Sequence, residues 1–150
     1  MILKFVILGE PIPKQSARFT KSGFAFQPKK IVTAKDNIRT QIINQLPSGF
    51  KMISEPLAIL NLKFVFSPPQ SLKKWQKEIL NGDSLLIKTT KPDLDNLEKM
   101  LYDAMESVVY DNDSKIYQKS NVGKYYGLKP RIEIELETQS IWGGLWIITN

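Results

Sequence analysis

The sequence contains neither cysteine nor histidine among its 150 residues. Disulfide bonds and zinc sites built from thiolates or imidazoles are therefore excluded. Catalytic systems that pair a histidine with a serine or cysteine nucleophile are excluded as well. Any metal ion bound by this chain must use oxygen ligands, and any hydrolytic chemistry must rely on carboxylates, amines, hydroxyls or bound water.

Long apolar runs are also absent from the sequence. The apolar run within residues 1–14 is too short for a secretory signal peptide that ends in a cleavage site. Residues 140–150 are apolar but too few to span a bilayer. These features, and the lack of disulfides, predict a soluble cytoplasmic protein with no membrane partner.

Length and composition predict one packed domain over residues 1–150. A chain of this size buries roughly 68–70% of its unfolded surface, and 42% of its residues are apolar. The net charge is +6, from 21 basic and 15 acidic residues. This excess suggests a polyanionic partner such as nucleic acid, although a lysine-rich soluble surface has the same composition.

Hydrophobic periodicity predicts an α/β (α+β) domain with a mixed sheet packed by two main helices. The Ser22-Gly23 turn fits a short hairpin or an ordered loop. We expect one helix to begin at Thr33, a short basic helix over 71–80, and a central helix whose apolar positions run from Leu94 to Val108. Strands are predicted at residues 2–8, 57–66, 116–126 and 131–138, the third with a bulge or turn at Gly123.

Two acidic pairs flank the central helix in the segment KPDLDNLEKMLYDAMESVVYDND, residues 91–113. Pro92 disfavours helix in the residue before it, so Asp93 is predicted to be the N-cap. With Asp93 outside the helix and Asp95 in its first turn, the two carboxylates can converge, and the helix N-terminus stabilises both. Lys99 follows Asp95 by four residues on the same face.

The second pair, Asp111 and Asp113, follows the helix. A chain that returns toward the first pair would gather three or four carboxylates, whose mutual repulsion a divalent cation relieves. A ligand set made only of oxygens favours Mg²⁺, Mn²⁺ or Ca²⁺.

Each acidic feature also has a simpler explanation. Asp93 can serve only as an N-cap. Asp95 and Lys99 can form an exposed ion pair that contributes about 0.2–0.5 kcal/mol, and residues 111–114 can form a polar turn. Capping requires one aspartate rather than two D-x-D pairs, so the set as a whole favours a metal site.

The central segment resembles the RusA family of Holliday junction resolvases. The resemblance rests on K-P-D-L-D-N-L, Lys99, Asp103-Ala104 and the V-Y-x-x-D at residues 109–113. The segments GEPIPKQSAR and SPPQSLKKW are similar to the family as well. Membership would imply a small homodimeric α/β endonuclease, often phage-borne, that binds four-way DNA junctions, requires Mg²⁺ or Mn²⁺ and nicks two opposed strands symmetrically.

Carried over by position, the resemblance implies that Asp93, Asp95 and Asp113 are the essential carboxylates and that Lys99 is the functional lysine. Family members often have two adjacent aspartates where this chain has Asn112-Asp113. Asp111 and the amide oxygen of Asn112 are therefore two candidates for the remaining ligand, and Asp111 is included in our predicted metal set.

The resemblance, together with the acidic set, implies a Mg²⁺-dependent endodeoxyribonuclease, with Mn²⁺ as a substitute, that resolves four-way junctions in DNA recombination and repair. A nuclease for other branched DNA and a non-catalytic DNA-binding protein are the alternatives. The apolar tail, with Trp142, Leu145 and Trp146, fits either a homodimer interface or packing on its own core. Predicted DNA-phosphate contacts are Lys14, Arg18, Lys73, Lys74 and Lys91.

Overall fold

A computed structural model of the chain describes residues 1–139. No helix in this part of the chain combines the length and apolar character needed to cross a bilayer. The tail residues Trp142, Leu145 and Trp146, for which we predicted a packing role, lie outside the described residues. The strands are β1 (Ile2–Leu8), β2 (Arg18–Phe19), β3 (Ala25–Phe26), β4 (Leu57–Phe66), β5 (Leu86–Ile87), β6 (Ile116–Lys119), β7 (Val122–Tyr126) and β8 (Arg131–Thr138), and the helices are α1 (Lys29–Gln45), α2 (Lys74–Asn81) and α3 (Leu94–Met105).

Six of the strands form one mixed sheet in the order β1-β8-β4-β7-β5, with β6 also paired to β4. β8 lies antiparallel between β1 and β4, whereas β6 and β7 run parallel to β4. The parallel pairing arises because α2, β5 and α3 separate β4 from β6 along the chain. β2 and β3 form a separate hairpin. The predicted mixed-sheet α/β (α+β) fold is confirmed.

The core lies between one face of the sheet and the two longer helices, α1 and α3. Alternation in β1 and β8 directs every second side chain toward the helices, which is the pattern expected of a sheet with one covered face. The buried residues that form this core include Leu3, Phe5 and Ile7 of β1, Ile132, Ile134 and Leu136 of β8, Ile31, Ile38 and Ile42 of α1, and Leu97, Leu101 and Ala104 of α3.

Two glutamines of α1 cover the outer edge of β1. The Gln45 side chain accepts a hydrogen bond from the Val6 amide at 3.0 Å and donates to the Val6 carbonyl at 2.8 Å. Gln41 repeats the arrangement at Leu8, with bonds of 2.8 and 3.0 Å. The side-chain amides thus satisfy backbone groups that an edge strand otherwise exposes to a partner chain.

α1 begins one turn earlier than predicted, at Lys29 rather than Thr33. Pro28 occupies the N-cap, and the buried Ile31 extends the apolar stripe one turn toward the N-terminus. Thr33, the predicted first residue, therefore lies inside the helix and provides no cap.

The break in the 116–126 segment lies at Ser120-Asn121, where Asn121 has a φ of 52°, and not at Gly123. Gly123 is instead a strand residue of β7. A β-carbon there would lie 2.5 Å from the Tyr125 hydroxyl, so close approach of that side chain explains the glycine.

α3 ends at Met105, before the predicted apolar position Val108. Ser107 then takes a φ of 67°, which turns the chain away from the helix axis. The buried Val109 amide still bonds to the Met105 carbonyl at 2.8 Å.

Adjacent isoleucines of α1 provide a test of this core. Ile42 is fully buried, whereas Ile43 is 54% exposed. Ile42→Ala should lower the free energy of unfolding by about 2–5 kcal/mol because it leaves a cavity. Ile43→Ala should lower it by only about 0.5 kcal/mol or less. Urea denaturation followed by circular dichroism measures both, and equal losses would contradict the described packing of α1.

Candidate functional site

Asp93 and Asp95 lie together at the start of α3. Asp93 is the N-cap, with extended backbone, as predicted. Its carbonyl accepts the Leu97 amide at 3.2 Å, but its carboxylate forms no capping hydrogen bond. Both aspartates are exposed. Capping therefore does not occupy the Asp93 side chain, and its oxygens are available to a ligand.

Lys99 lies one turn along α3 from Asp95. Its Nζ is 3.9 Å from the Asp95 carboxylate, and both side chains are more than 60% exposed, at 62% and 67%. Ion pairs this exposed contribute little to stability because water screens them. The Asp95–Lys99 pair is therefore better suited to binding a ligand than to stabilising the helix.

The N-terminal loop packs along α3, from its first turn to its last. The Lys14 amide donates to the Asn96 carbonyl at 2.9 Å, and the Lys14 ammonium forms an ion pair with Asp103. A cavity of about 600 Å³ lies between loop and helix. Its lining residues are Lys14, Gln15, Ser16, Asn96 and Lys99.

This contact brings the N-terminal segment, residues 9–18, against the helix that carries Asp95 and Lys99. Lys14 was predicted to contact DNA, and the structure places it at the cavity with much of its charge directed to Asp103. Gln15, Ser16 and Asn96 were not predicted. Asn96 follows Asp95 directly, so its place in the D-L-D-N segment was the one signal for it.

The second acidic pair follows α3 in a tight turn. The Asn112 side-chain oxygen accepts a hydrogen bond from the Ser114 amide at 2.8 Å and so begins the single 3₁₀ turn Asp113–Lys115. That oxygen is thus engaged in the turn, which leaves Asp111 as the freer of the two candidates for the remaining ligand. Asp111 and Asp113 are both exposed.

Glu106 is an acidic neighbour of Asp113 that sequence reasoning missed. Its carboxylate accepts the Asp113 amide at 3.3 Å. Beneath them the buried Tyr110 donates to the Tyr102 carbonyl at 2.8 Å. Burial raises the pKa of Tyr110 well above its usual range, and the negative charges of Asp113 and Glu106 raise it further. The phenol therefore stays neutral and the surface above it is acidic.

Lys124 fixes the segment that leads into Asp93. Its ammonium donates to the Thr90 carbonyl at 2.6 Å and to the Pro92 carbonyl at 2.8 Å. Lys124 lies on β7, which is paired on both sides, with β4 and with β5, so the segment before Asp93 is tied to a rigid element. Sequence spacing gave no indication of this contact.

The donor set fits a hard cation such as Mg²⁺. Within residues 1–139, no three acidic side chains stand close enough to form a complete metal centre, so the four predicted aspartates are not gathered there. Mg²⁺ is commonly held by one or two carboxylates, with waters and substrate phosphates completing its shell. The exposed Asp93–Asp95 pair fits that pattern, and the participation of Asp113 and Asp111 stays a prediction.

The other predicted DNA contacts are solvent-exposed. Arg18 lies on the β2–β3 hairpin, Lys73 and Lys74 begin α2, and Lys91 precedes Pro92. Among the ion pairs formed within residues 1–139, none involves these four side chains. Their charges are therefore free to meet a phosphate backbone.

Comparison with known proteins gives two matches. The family model described as "Endodeoxyribonuclease RusA" matches residues 9–137, which include the N-terminal loop, α3 and both acidic pairs. The chain is also 28% identical over 143 residues to the "Uncharacterized protein YqaN" of Bacillus subtilis (strain 168), a match that covers 92% of this chain and 97% of that protein.

The contact between the loop and α3 can be tested at Asp103. Asp103→Asn removes the carboxylate that pairs with Lys14, so the loop should detach more often. We expect hydrogen exchange of the Lys14 amide to accelerate about twofold to fivefold, as loss of ~0.4–1 kcal/mol implies. Exchange can be followed by NMR or mass spectrometry.

The matched control is Asp36→Asn, because Asp36 is exposed and lines a neighbouring cavity together with Lys14 and Asp103. It should leave exchange at Lys14 unchanged. An Asp103→Asn protein with the parent exchange rate would mean that the ion pair does not hold the loop.

Proposed function

Because the chain belongs to the endodeoxyribonuclease RusA family, we propose that it is a metal-dependent nuclease that resolves four-way DNA junctions by paired, symmetric nicks. The observation that carries the proposal is the exposed Asp93–Asp95 pair at the start of α3, with Lys99 3.9 Å from Asp95. Lys99 also lines the cavity under the N-terminal loop. The carboxylates of Asp93 and Asp95 could bind a cation, and the Lys99 ammonium, one turn further along the same helix, could bind a phosphate.

Asp93 and Asp95 would hold Mg²⁺ or Mn²⁺, with Asp113 as the third predicted ligand and Asp111 as an additional one. When bound, such an ion lowers the pKa of a water molecule and neutralises charge on the phosphate. The all-oxygen character of these side chains supports Mg²⁺ and Mn²⁺ over softer metals.

Lys99 supplies positive charge to the reacting phosphate. Lys99 lines the cavity, and its exposed ammonium lies 3.9 Å from the Asp95 carboxylate. A cation at that place stabilises the negative charge that develops on phosphate oxygens in the transition state. Asn96, which also lines the cavity, carries a side-chain amide that can donate to a phosphate.

DNA binding would combine this cavity with the exposed basic residues around it. Lys91 lies two residues before Asp93, and Lys14 lines the cavity itself. Arg18, Lys73 and Lys74 extend the positive surface to the hairpin and to α2. Contacts of this kind read backbone position rather than base sequence, so they suit recognition of a branched shape.

A homodimer would match the symmetry of a four-way junction, because two copies related by a two-fold axis present two equivalent sites. The glutamine cover on β1 at Val6 and Leu8 disfavours an interface formed by continuing the sheet across that edge. The dimer proposed here therefore uses another surface of the chain.

Asp95→Asn tests the proposed function. The substitution keeps the size of the side chain but removes its charge, so junction nicking in Mg²⁺ should fall by at least roughly hundredfold. Junction binding in EDTA should survive, because Asp95 is not a phosphate-binding group. Single-turnover assays on a labelled synthetic junction give the rate, and gel-shift titration gives the affinity.

Asp83→Asn is the control, since Asp83 is an exposed aspartate in the turn after α2. It should nick at the parent rate. Full activity in the Asp95→Asn protein would remove the acidic pair from the reaction and would sink the proposed mechanism.

A further inference from the structure

Lys88 is a buried cation that the proposed mechanism does not use. It is 8% exposed and is the one charged side chain that is buried within residues 1–139. None of the ion pairs in this part of the chain includes it. A charge withdrawn from water without a counter-ion is costly, so its partners need an explanation.

The partners of Lys88 are aromatic rings and hydroxyl groups. Its Nζ lies 5.1 Å from the ring centre of Phe66 and 4.8 Å from that of Tyr126, which are cation–π distances. It also donates to the Thr90 hydroxyl at 2.6 Å and to the Tyr126 hydroxyl at 3.3 Å. The charge is thus stabilised but not neutralised.

The Thr90 and Tyr126 hydroxyl groups have two O–H donors, but only one of these can donate within the pair. The Thr90 and Tyr126 oxygens lie 3.1 Å apart, so one of the two O–H groups donates to the other. Both oxygens accept from Lys88, which leaves the second O–H to donate elsewhere. Thr90 is exposed and Tyr126 is half-buried, so this donor is accessible from solvent.

The hydroxyl pair lies beside the acidic motif. Thr90 precedes Asp93 by three residues, and the Lys124 ammonium holds the carbonyls of Thr90 and Pro92. Lys124 has no carboxylate partner among the ion pairs of residues 1–139 either. A donor group above two uncompensated ammonium groups favours an anion.

We propose that the Tyr126 hydroxyl, oriented by the Thr90 hydroxyl, donates to a phosphodiester of the DNA backbone next to the one that is cut, with Lys88 as the positioning residue beneath the pair. This inference rests on the proposed function and adds a phosphate subsite to it. A phosphodiester is the matching ligand because it is anionic and carries only acceptors on its free oxygens.

The chemistry of Tyr126 agrees with this role. The hydrogen bond with Thr90 lowers the pKa of the phenol, and the hydrogen bond from Lys88 and the charges of Lys88 and Lys124 lower it further. A phenol whose anion is stabilised is a stronger hydrogen-bond donor to a charged oxygen.

Tyr126→Phe and Thr90→Val test the subsite in the full chain. Each removes a hydroxyl and keeps the shape of the side chain. Tyr126→Phe should raise the Kd for a synthetic four-way junction in EDTA by roughly tenfold, as loss of one hydrogen bond to a charged group implies. Thr90→Val should raise the Kd by a smaller factor, because the Tyr126 hydroxyl remains but loses the partner that orients it. Tyr125→Phe is the control, because it removes the hydroxyl of the neighbouring tyrosine and should leave the Kd unchanged.

A methylphosphonate scan identifies the phosphate itself. A set of junctions is made, each with one neutral methylphosphonate at a different position around the cut. The Kd of each junction is then measured for the parent protein and for Tyr126→Phe. At one position the modification should weaken the parent by roughly tenfold and have no further effect on the variant. A purely structural tyrosine would give the same relative loss in both proteins at every position.

Lys88→Met provides a second variant, since its apolar side chain suits the Phe66 and Tyr126 rings. It should retain the parent melting temperature or exceed it, while junction affinity falls as in Tyr126→Phe. Parent-like affinity and nicking in Tyr126→Phe, Thr90→Val and Lys88→Met would overturn the subsite and leave the proposed function intact. A parent protein that neither binds nor nicks the junction would overturn the proposed function and the subsite with it.

Discussion

The burial of one face of α3 determines where three candidate catalytic groups, Asp93, Asp95 and Lys99, lie. Leu97, Leu101 and Ala104 lock the helix between the sheet and α1. The opposite edge then has to carry Asp95 and Lys99 at the surface, and the N-cap places Asp93 beside them. A helix that could rotate about its axis would lose this alignment. The core packing of α3 therefore also fixes the geometry of the site.

The elements around α3 reinforce the same alignment from three sides. The N-terminal loop is attached through Lys14 to Asn96 and Asp103. Lys124 of β7 fixes the carbonyls before Asp93. At the other end of the helix, Arg39 of α1 donates to the Ala104 carbonyl at 3.0 Å and complements the helix C-terminus. The acidic pair is thus exposed but well supported.

The periodic parts of the fold were accessible from the sequence, because alternation and helical spacing report burial directly. The strands Leu57–Phe66 and Arg131–Thr138 and the N-cap at Asp93 were confirmed on these grounds. Helix ends were less accessible, since Pro28 and Ser107 set them through backbone geometry that a hydrophobic pattern does not record. The ends of a helix or strand depend on single residues, whereas the choice between helix and strand depends on many residues together.

Only those residues of the candidate site that are close together in the sequence could be predicted. The D-x-D spacing and Lys99 identify one helix end, and the family resemblance adds Asp113. Lys88 bonds to Tyr126, and Lys124 bonds to Thr90, just before α3. The residues of each pair are more than thirty positions apart in the sequence, so no local pattern indicates these contacts. Long-range pairing of that kind is decided by strand order, which the sequence alone did not establish.

Whether these groups cut branched DNA with a divalent cation is tested by cleavage of a synthetic four-way junction in Mg²⁺ and in EDTA, with linear duplex and flap substrates alongside. We expect paired nicks on opposed strands of the junction, absent in EDTA and absent from the two controls. Junction binding without nicks, or equal cutting of flaps and duplex, would contradict this expectation.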